Sequence, residues 1–335
     1  MIAQIDSSYI RRRPWKLWSR LISYALFEGR PLITRGRWIN PLIFTHFALE
    51  KRLPAFKRVE KPVFILGTGR SGTTILGVVL SMHRKVGFLN EPKAIWHAIH
   101  PEEDLVGSYS RCNARYRLHA DDASPAVIQS AQRIFGAYLA VTFSQRVVNK
   151  YPELIFRIPF VKAIFPDAKF LFLSRNGWDT CHSIENWSDR RGQQIGSETY
   201  DWWGVNRRKW DLLLDQIIPG HADLAPFVQE MRGWTSQTDM AAVEWIVTMR
   251  EGLTLLDQYP AEVMRVCYEA LCSEPHQMMQ AITKFMEIPE DDLQFLQYAE
   301  STLQPVAAKK PFKIHQCLEK PFHQVMHQLG YERTS

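Results

Sequence analysis

The clearest chemistry in this chain lies in the stretch FILGTGRSGTTIL, positions 64–76. Gly67 and Gly72 stand at the spacing of a phosphate-binding loop, G-x-x-x-x-G-K-[ST], between an apolar run and a helical pattern. Backbone N–H groups at a helix N-terminus attract anions, and glycines let the backbone approach them closely. Gly67, Thr68, Gly69, Arg70, Ser71, Gly72, Thr73 and Thr74 are therefore expected to hold phosphate. The lysine of a nucleoside-triphosphate loop is missing: Thr73 takes its place, and the basic residue has moved into the loop as Arg70. A triphosphate enzyme also needs an acidic residue at a strand end for magnesium. The strongest strand pattern, AKFLFLS at 168–174, ends instead in Arg175. Two cations, many N–H donors and no metal ligand suit a nucleotide with an extra phosphate and no need of magnesium.

Together these residues resemble the sulfotransferases that use 3′-phosphoadenosine 5′-phosphosulfate (PAPS), in their carbohydrate, tyrosylprotein and bacterial branch. Positions 65–76 are similar to that family's 5′-phosphosulfate loop, and FPDAKFLFLSRNGWDTCHSI at 165–184 to its 3′-phosphate motif. The resemblance implies Arg175 and Ser183 as 3′-phosphate ligands. Asn176 stands where the family usually has Asp. VCYEAL at 266–271 resembles a block whose tyrosine, here Tyr268, lies near the adenine. The similarity covers residues 62–290. The expected reaction is transfer of a sulfuryl group to an acceptor hydroxyl, a glycan or glycolipid, by in-line displacement, with 3′,5′-ADP as product and no metal.

An alcohol acceptor needs a base. FLNEPKAIWH at 88–97 puts Glu91 at a strand end, with Pro92 fixing the turn. It resembles the family's Glu-Pro, which makes Glu91 the expected base. His97 is the rival, because an imidazole has a suitable pKa without tuning. Lys150 matches a family position near the acceptor. Arg157 is open to a structural ion-pair role.

These residues need a scaffold to converge. Strand patterns fall at 63–66, 154–158, 168–174 and 263–268, with a further strand before Glu91. Helical patterns fall at 72–83, 124–147, 160–165, from 179, and at 200–217, 238–258 and 271–286. The alternation predicts an α/β fold: a P-loop-like parallel β-sheet flanked by helices on both faces. Ligands then belong at the C-terminal strand ends, where Gly67 and Arg175 fall.

The chain has 335 residues and net charge +6, but residues 1–61 hold thirteen Lys/Arg against four Asp/Glu. The expected division is a basic helical extension, 1–61, and a sulfotransferase domain, 62–335. In PWKLWSRLISYALF, 14–27, helical spacing groups Trp15, Trp18, Leu21, Ile22, Ala25 and Leu26, with Lys16 and Arg20 toward the other side. This reads as an interfacial helix, and residues 11–38 as a peripheral contact with anionic membrane. A second helix is expected over 40–53, capped by Asn40. No apolar run approaches a membrane span. Five cysteines without C-x-x-C spacing suggest a reducing, cytoplasmic setting. No nucleic-acid partner is expected. His323 and His327 lack the glutamate of H-E-x-x-H, and the tryptophans at 187, 202, 203, 210, 234 and 245 are core or a sugar platform. Lys309, Lys310 and Lys313 are solvated or close over the 3′-phosphate. Two other functions share the pattern: a small-molecule kinase or NTPase, and a non-catalytic membrane-associated nucleotide-binding protein.

Overall fold

The computed structural model describes residues 4–30, 36–305, 307 and 311–331. A five-stranded parallel sheet is built from β1 (Val63–Gly67), β2 (Val86–Asn90), β3 (Arg146–Lys150), β4 (Lys169–Ser174) and, after three short strands, β8 (Val263–Cys267). Its order is β2-β3-β1-β4-β8. Successive residues of β1 enter different cores: Val63 and Ile65 join one, Phe64 and Leu66 the other. A strand covered on both faces has no polar face to alternate with, hence the unbroken run VFIL. Chain continues from β1 to one side of the sheet, through β2 and β3, and then to the other, through β4 and β8. The C-terminal end of β1 is thus the switch point, where ligand crevices form. The three short strands, β5 (Gln193–Ile195), β6 (Glu198–Asp201) and β7 (Gly204–Val205), make a separate antiparallel sheet.

Three sequence expectations change. The third strand is RVVNK at β3, which begins within the span expected as helix, 124–147; the helix Pro125–Val141 stops and Phe143 turns the chain with φ 53°. The expected strand at 154–158 is instead the 3₁₀ segment Pro152–Arg157, whose Arg157 is fully buried on the carbonyls of Tyr116, Glu103 and Arg115 and the Glu103 carboxylate. Of the helix expected at 200–217, only Arg208–Gln216 forms; strands β6 and β7 occupy its start. In addition, Asn40 does not cap its helix, Asn40–Glu50. Its side chain accepts from the Arg30 N–H (2.9 Å) and donates to the Arg30 carbonyl (2.8 Å).

The basic N-terminal segment packs against the sheet edge. Strand β2 is that edge, and an edge leaves a row of backbone groups open. Helix Pro14–Ile22 and its flanks cover them with charged side chains. Lys16 donates to the Val86 carbonyl (2.5 Å), Arg20 to the Phe88 carbonyl (2.5 Å), and the Glu28 carboxylate accepts from the Asn90 N–H (2.9 Å). Arg13 reaches the Met82 carbonyl (2.7 Å) and grips Asp292 with two bonds, 2.8 and 2.5 Å. The spacing argument grouped the faces correctly, but the helix sits basic side in: Lys16 and Arg20 are buried, while Trp15 and Trp18 are exposed. Burial pushes Lys16 down to about 7, helped by Arg13. Lys309 and Lys310 lie outside the described residues.

Asp292 fastens this segment to the far end of the chain, and that makes the attachment testable. Burial alone would raise its carboxyl, but the Arg13 hydrogen bonds and the N–H groups of Arg84 and Phe295 outweigh it and hold it at about 2, from 3.8. A depressed acid stabilises the fold in full above its unfolded pKa and loses that contribution as pH falls through the folded one. Asp292→Asn should cost about 3 kcal/mol at neutral pH, since it leaves a buried Arg unpaired. The difference from wild type should shrink between about pH 4 and pH 2 in urea-unfolding curves. An unchanged gap over that window would detach the stability from this pair.

Candidate active site

The loop between β1 and helix Thr73–Ser81 is held by conformation and by two rings. Gly72 has φ 98°, a left-handed value that favours glycine, and a Cβ there would lie 2.2 Å from the Tyr268 ring. A Cβ on Gly69 would lie 2.4 Å from the Trp202 ring. Arg70, also left-handed at φ 71°, sends its Nε to Ser183 Oγ at 3.2 Å. Ser71 is buried and turns inward, donating to the Thr68 carbonyl at 2.6 Å, so its hydroxyl closes the loop. Thr73 is buried, Thr74 half-buried. The first-turn N–H groups of a helix have no intrahelical acceptors.

The end of β4 supplies the second cation. Arg175 Nη1 donates to the Arg70 carbonyl at 3.0 Å, and its guanidinium lies 4.4 Å from the Tyr268 ring centroid. Its own carbonyl accepts from Trp245 Nε1 at 3.1 Å. Asn176 caps the helix Gly177–Arg191 through Trp178 and Asp179, which gives a backbone reason for this residue and aims Ser183 at the loop. Arg70, Arg175, Ser183, His182, Asn186, Arg190 and Arg191 line an open cavity of about 520 Å³, with Asp179 at its wall. A smaller cavity of about 240 Å³ adjoins it, between Arg175 and Tyr268. Burial, and then the Arg175 charge, lower the Arg70 pKa. Arg175 Nε and Thr68 Oγ1 are buried without a hydrogen-bond partner.

Across the loop lies a narrower cavity of about 130 Å³, where Gly69 meets Glu91, Lys93, Glu153, Trp187, Trp202 and Lys209. Glu91 follows β2 with φ 46°, and its N–H donates to the Lys150 carbonyl at 2.7 Å. The Lys150 ammonium binds the Glu91 carboxylate directly. A ladder of alternating charge continues inward: Lys93 lies 3.8 Å from Glu91 and 3.6 Å from Glu153, and Lys209 lies 3.6 Å from Glu153 and 2.5 Å from Glu244. Glu244 accepts from Trp202 Nε1 at 2.7 Å. Burial alone would raise the Glu91 carboxyl, but Lys150 and then Lys93 hold it below the usual range. Burial would likewise raise Glu153, but Lys93 and Lys209 hold it low.

Arg70, Arg175, Ser183 and Tyr268 therefore converge on one side of the loop, and Glu91 with Lys150 on the other. His97 does not line either cavity. It packs between Phe44 and Tyr109, at 5.7 and 5.5 Å between ring centroids, and burial lowers its pKa. Of the tryptophans, 203, 210 and 245 are core, whereas Trp187 and Trp202 meet edge to face at 5.3 Å in the Glu91 cavity. The sequence reading missed Lys93, Glu153, Lys209 and Glu244. They come from four segments and no spacing links them. Among the described residues no cluster of three His, Cys, Asp or Glu could hold a metal, and no helix is long and apolar enough to cross a membrane.

Comparison with known proteins gives one consistent result. Residues 62–221 match the model of the Sulfotransferase family. Protein-tyrosine sulfotransferase A of Caenorhabditis elegans is 27% identical over 240 residues, 71% of this chain and 52% of that protein. Protein-tyrosine sulfotransferase of Drosophila melanogaster is 26% identical over 245 residues, 72% of this chain and 41% of that one. The chain thus spans about half the length of these curated relatives. Among solved structures, the sulfotransferase domain from the curacin biosynthetic pathway aligns with TM-score 0.48 and 15% identity, over 83% of this chain and 100% of that one.

The contact between Gly72 and Tyr268 is open to a direct test. Gly72→Ala should cost about 1–3 kcal/mol, from backbone strain and the ring it meets. Tyr268→Ala in the same chain should recover part of that cost, so the double variant loses less than the sum in denaturant unfolding. Strict additivity would show that the ring does not press on the loop.

Proposed function

Because residues 62–221 match the model of the Sulfotransferase family, we propose that the chain transfers a sulfuryl group from PAPS to an acceptor hydroxyl, leaving a sulfate ester and 3′,5′-ADP. The observation that carries this reading is the convergence of Arg70, Arg175 and Ser183 on one cavity, with Glu91 and Lys150 across the same loop. Arg175 lines this cavity, and its Nε, buried without a hydrogen-bond partner, is available to a phosphate oxygen of such a donor. PAPS supplies a sulfuryl group activated as a mixed anhydride. Arg70 and the loop N–H groups would hold its 5′-phosphosulfate, Arg175 and Ser183 its 3′-phosphate, and Tyr268 would face the adenine. Donors fixed before the reaction stabilise developing charge without reorganising, and this is the role of Arg70 toward the departing phosphate oxygen. Glu91 takes the acceptor proton. Lys150 keeps that carboxylate ionised and meets negative charge on the group in transfer.

A carboxylate held below its usual range is a weak base. A phenol, with pKa about 10, yields its proton to such a base more readily than an aliphatic alcohol does. The relatives named above are protein-tyrosine sulfotransferases. Both points favour an aromatic hydroxyl, a tyrosine side chain or small phenol. The expected glycan hydroxyl stays as the second reading, because Trp187 and Trp202 at the cavity could stack on a sugar ring.

3′,5′-ADP should raise the melting temperature without magnesium, and Arg175→Ala should remove most of the shift, about 1.5–3 kcal/mol of binding. Equal stabilisation by ADP lacking the 3′-phosphate would end the donor assignment.

Glu91→Gln should lower kcat by roughly 10²–10⁴-fold and leave 3′,5′-ADP affinity intact, with His97→Ala near wild type. Because the base works ionised and its pKa is lowered from 4.5, its acid limb in the rate profile should lie below pH 4.5. A dead His97→Ala beside an active Glu91→Gln would transfer the role to His97. Labelled donor offered to a tyrosine peptide, 4-nitrophenol and an oligosaccharide should mark the phenols first; label on the sugar alone would select the second reading.

A further inference from the structure

Among the described residues, ten of the fourteen exposed large apolar side chains fall within residues 10–56. Trp15 is 54% exposed, Trp18 57% and Trp38 76%. Leu42, Leu49 and Phe56 continue the same surface. These positions lie on elements that pack together. Phe27 meets His46 edge to face and Phe47 at a tilt, with ring centroids 5.2 and 6.2 Å away, which joins the first helices to helix Asn40–Glu50. Lys57 donates to the Ser144 carbonyl at 2.6 Å, and the chain neighbours of these two residues, Phe56 and Phe143, are both exposed. Patches this rich in apolar side chains mark contact surfaces.

The exposure is enforced by the fold. Helix Pro14–Ile22 has a polar stripe and an apolar stripe, and the polar stripe serves the sheet edge. If the helix rolled its tryptophans inward, the carbonyls of Val86 and Phe88 would lose Lys16 and Arg20. Each such orphaned group costs free energy. Trp15 and Trp18 therefore face outward whenever β2 is covered.

The charge within residues 7–58 has one sign, with the exposed Asp6 and Glu60 at its two ends and Glu60 3.8 Å from Arg58. Between residues 7 and 58, among those described, the exposed charges are Arg11, Arg37, Arg52 and Arg58. The acidic side chains are withdrawn: Glu28 is buried on Arg20, and Glu50 is half-buried beside His46. We propose that residues 7–30 and 36–58 form a docking face for a bilayer carrying anionic lipid, seated at the boundary of headgroups and acyl chains. Tryptophan suits that boundary because its ring is apolar and its N–H polar, and arginine reaches lipid phosphate. A second copy of the chain fits less well, since it would set arginine against arginine. The inner side of this face adjoins the Glu91 cavity. Phe44 packs on Tyr109 at 5.4 Å, and Val106 and Ser108 of the same segment line that cavity. Docking would bring the acceptor side of the site close to the membrane surface. The surface argument stands whether or not the sulfuryl-transfer reading does.

Flotation of the full chain with vesicles tests this. Wild type should float with phosphatidylcholine vesicles containing about a third phosphatidylglycerol, and more weakly with phosphatidylcholine alone. Trp15→Ser, Trp18→Ser and Trp38→Ser together should cut binding about tenfold or more. Arg11→Glu, Arg37→Glu and Arg52→Glu together should erase the preference for anionic vesicles. The 3′,5′-ADP shift of both variants should match wild type, because none of these side chains belongs to the loop; thermal unfolding should match for the arginine variant and fall slightly for the tryptophan one, since the Trp15 ring lies over Lys16 and Arg13 at 4.9 and 5.7 Å. Wild type that stays soluble with both vesicles overturns the proposal. So does vesicle binding unaffected by the tryptophan changes, and so does a wild-type dimer that the tryptophan variant dissolves, which would make a second copy the occupant.

Discussion

Two guanidinium groups, Arg70 and Arg175, are held side by side, and much of the structure serves to keep them there. Each is fastened to an uncharged partner, Arg70 to the Ser183 hydroxyl and Arg175 to the Arg70 carbonyl. Neither contact neutralises a charge. The restraints reach far along the chain. Trp245 fixes the Arg175 carbonyl, the Asn176 N–H donates to Glu269 at 2.9 Å, and Glu269 accepts from the Tyr331 hydroxyl at 2.8 Å. Strands β1 and β4 are adjacent and in register, with Gly67 opposite Leu173. Sheet pairing itself therefore brings the two cations into one crevice. The two like charges repel, and a polyanion between them would relieve that repulsion. Binding strength and specificity for anions then share one origin.

The opposite side of the loop follows another electrostatic rule. There the charges alternate, Lys150, Glu91, Lys93, Glu153, Lys209 and Glu244, so each buried ion has a partner on either side or a hydrogen bond at the end. Buried ions are tolerable only when paired in this way. The ladder roots Glu91 in the interior and Trp202 at its far end, so the cavity has a rigid floor and wall. A thin loop, with Trp202 against Gly69 and Tyr268 against Gly72, is all that separates the two regimes.

How much of this the sequence disclosed depended on how local the cause was. The loop was legible because glycine at 67 and 72 is a backbone requirement written in the residues themselves. Strands β1 and β4 were legible because doubly covered strands read as unbroken apolar runs. Strand β3 was not: no glycine or proline separates RVVNK from the helical pattern before it, and the break comes from Phe143 in a left-handed conformation. The charge ladder was invisible because its members meet only in the folded chain. The sorting of helix Pro14–Ile22 into two faces could be read from spacing, but which face turns inward could not. That choice belongs to the open carbonyls of β2, some seventy residues away in sequence.

The same helix has a history as well as a place. Arg13 and Asp292 are separated by 279 residues, and the edge it covers, β2, is completed only when β3 and β1 have paired. During synthesis residues 7–28 emerge before every strand of the sheet, and contacts this distant in sequence form late. Helices that emerge ahead of the sheet are thus among the last elements to be seated. Until then they carry a cationic stripe and a tryptophan stripe, both unclaimed. A nascent chain in that condition is an amphipathic peptide tethered to a ribosome, free to meet other surfaces before its own sheet exists.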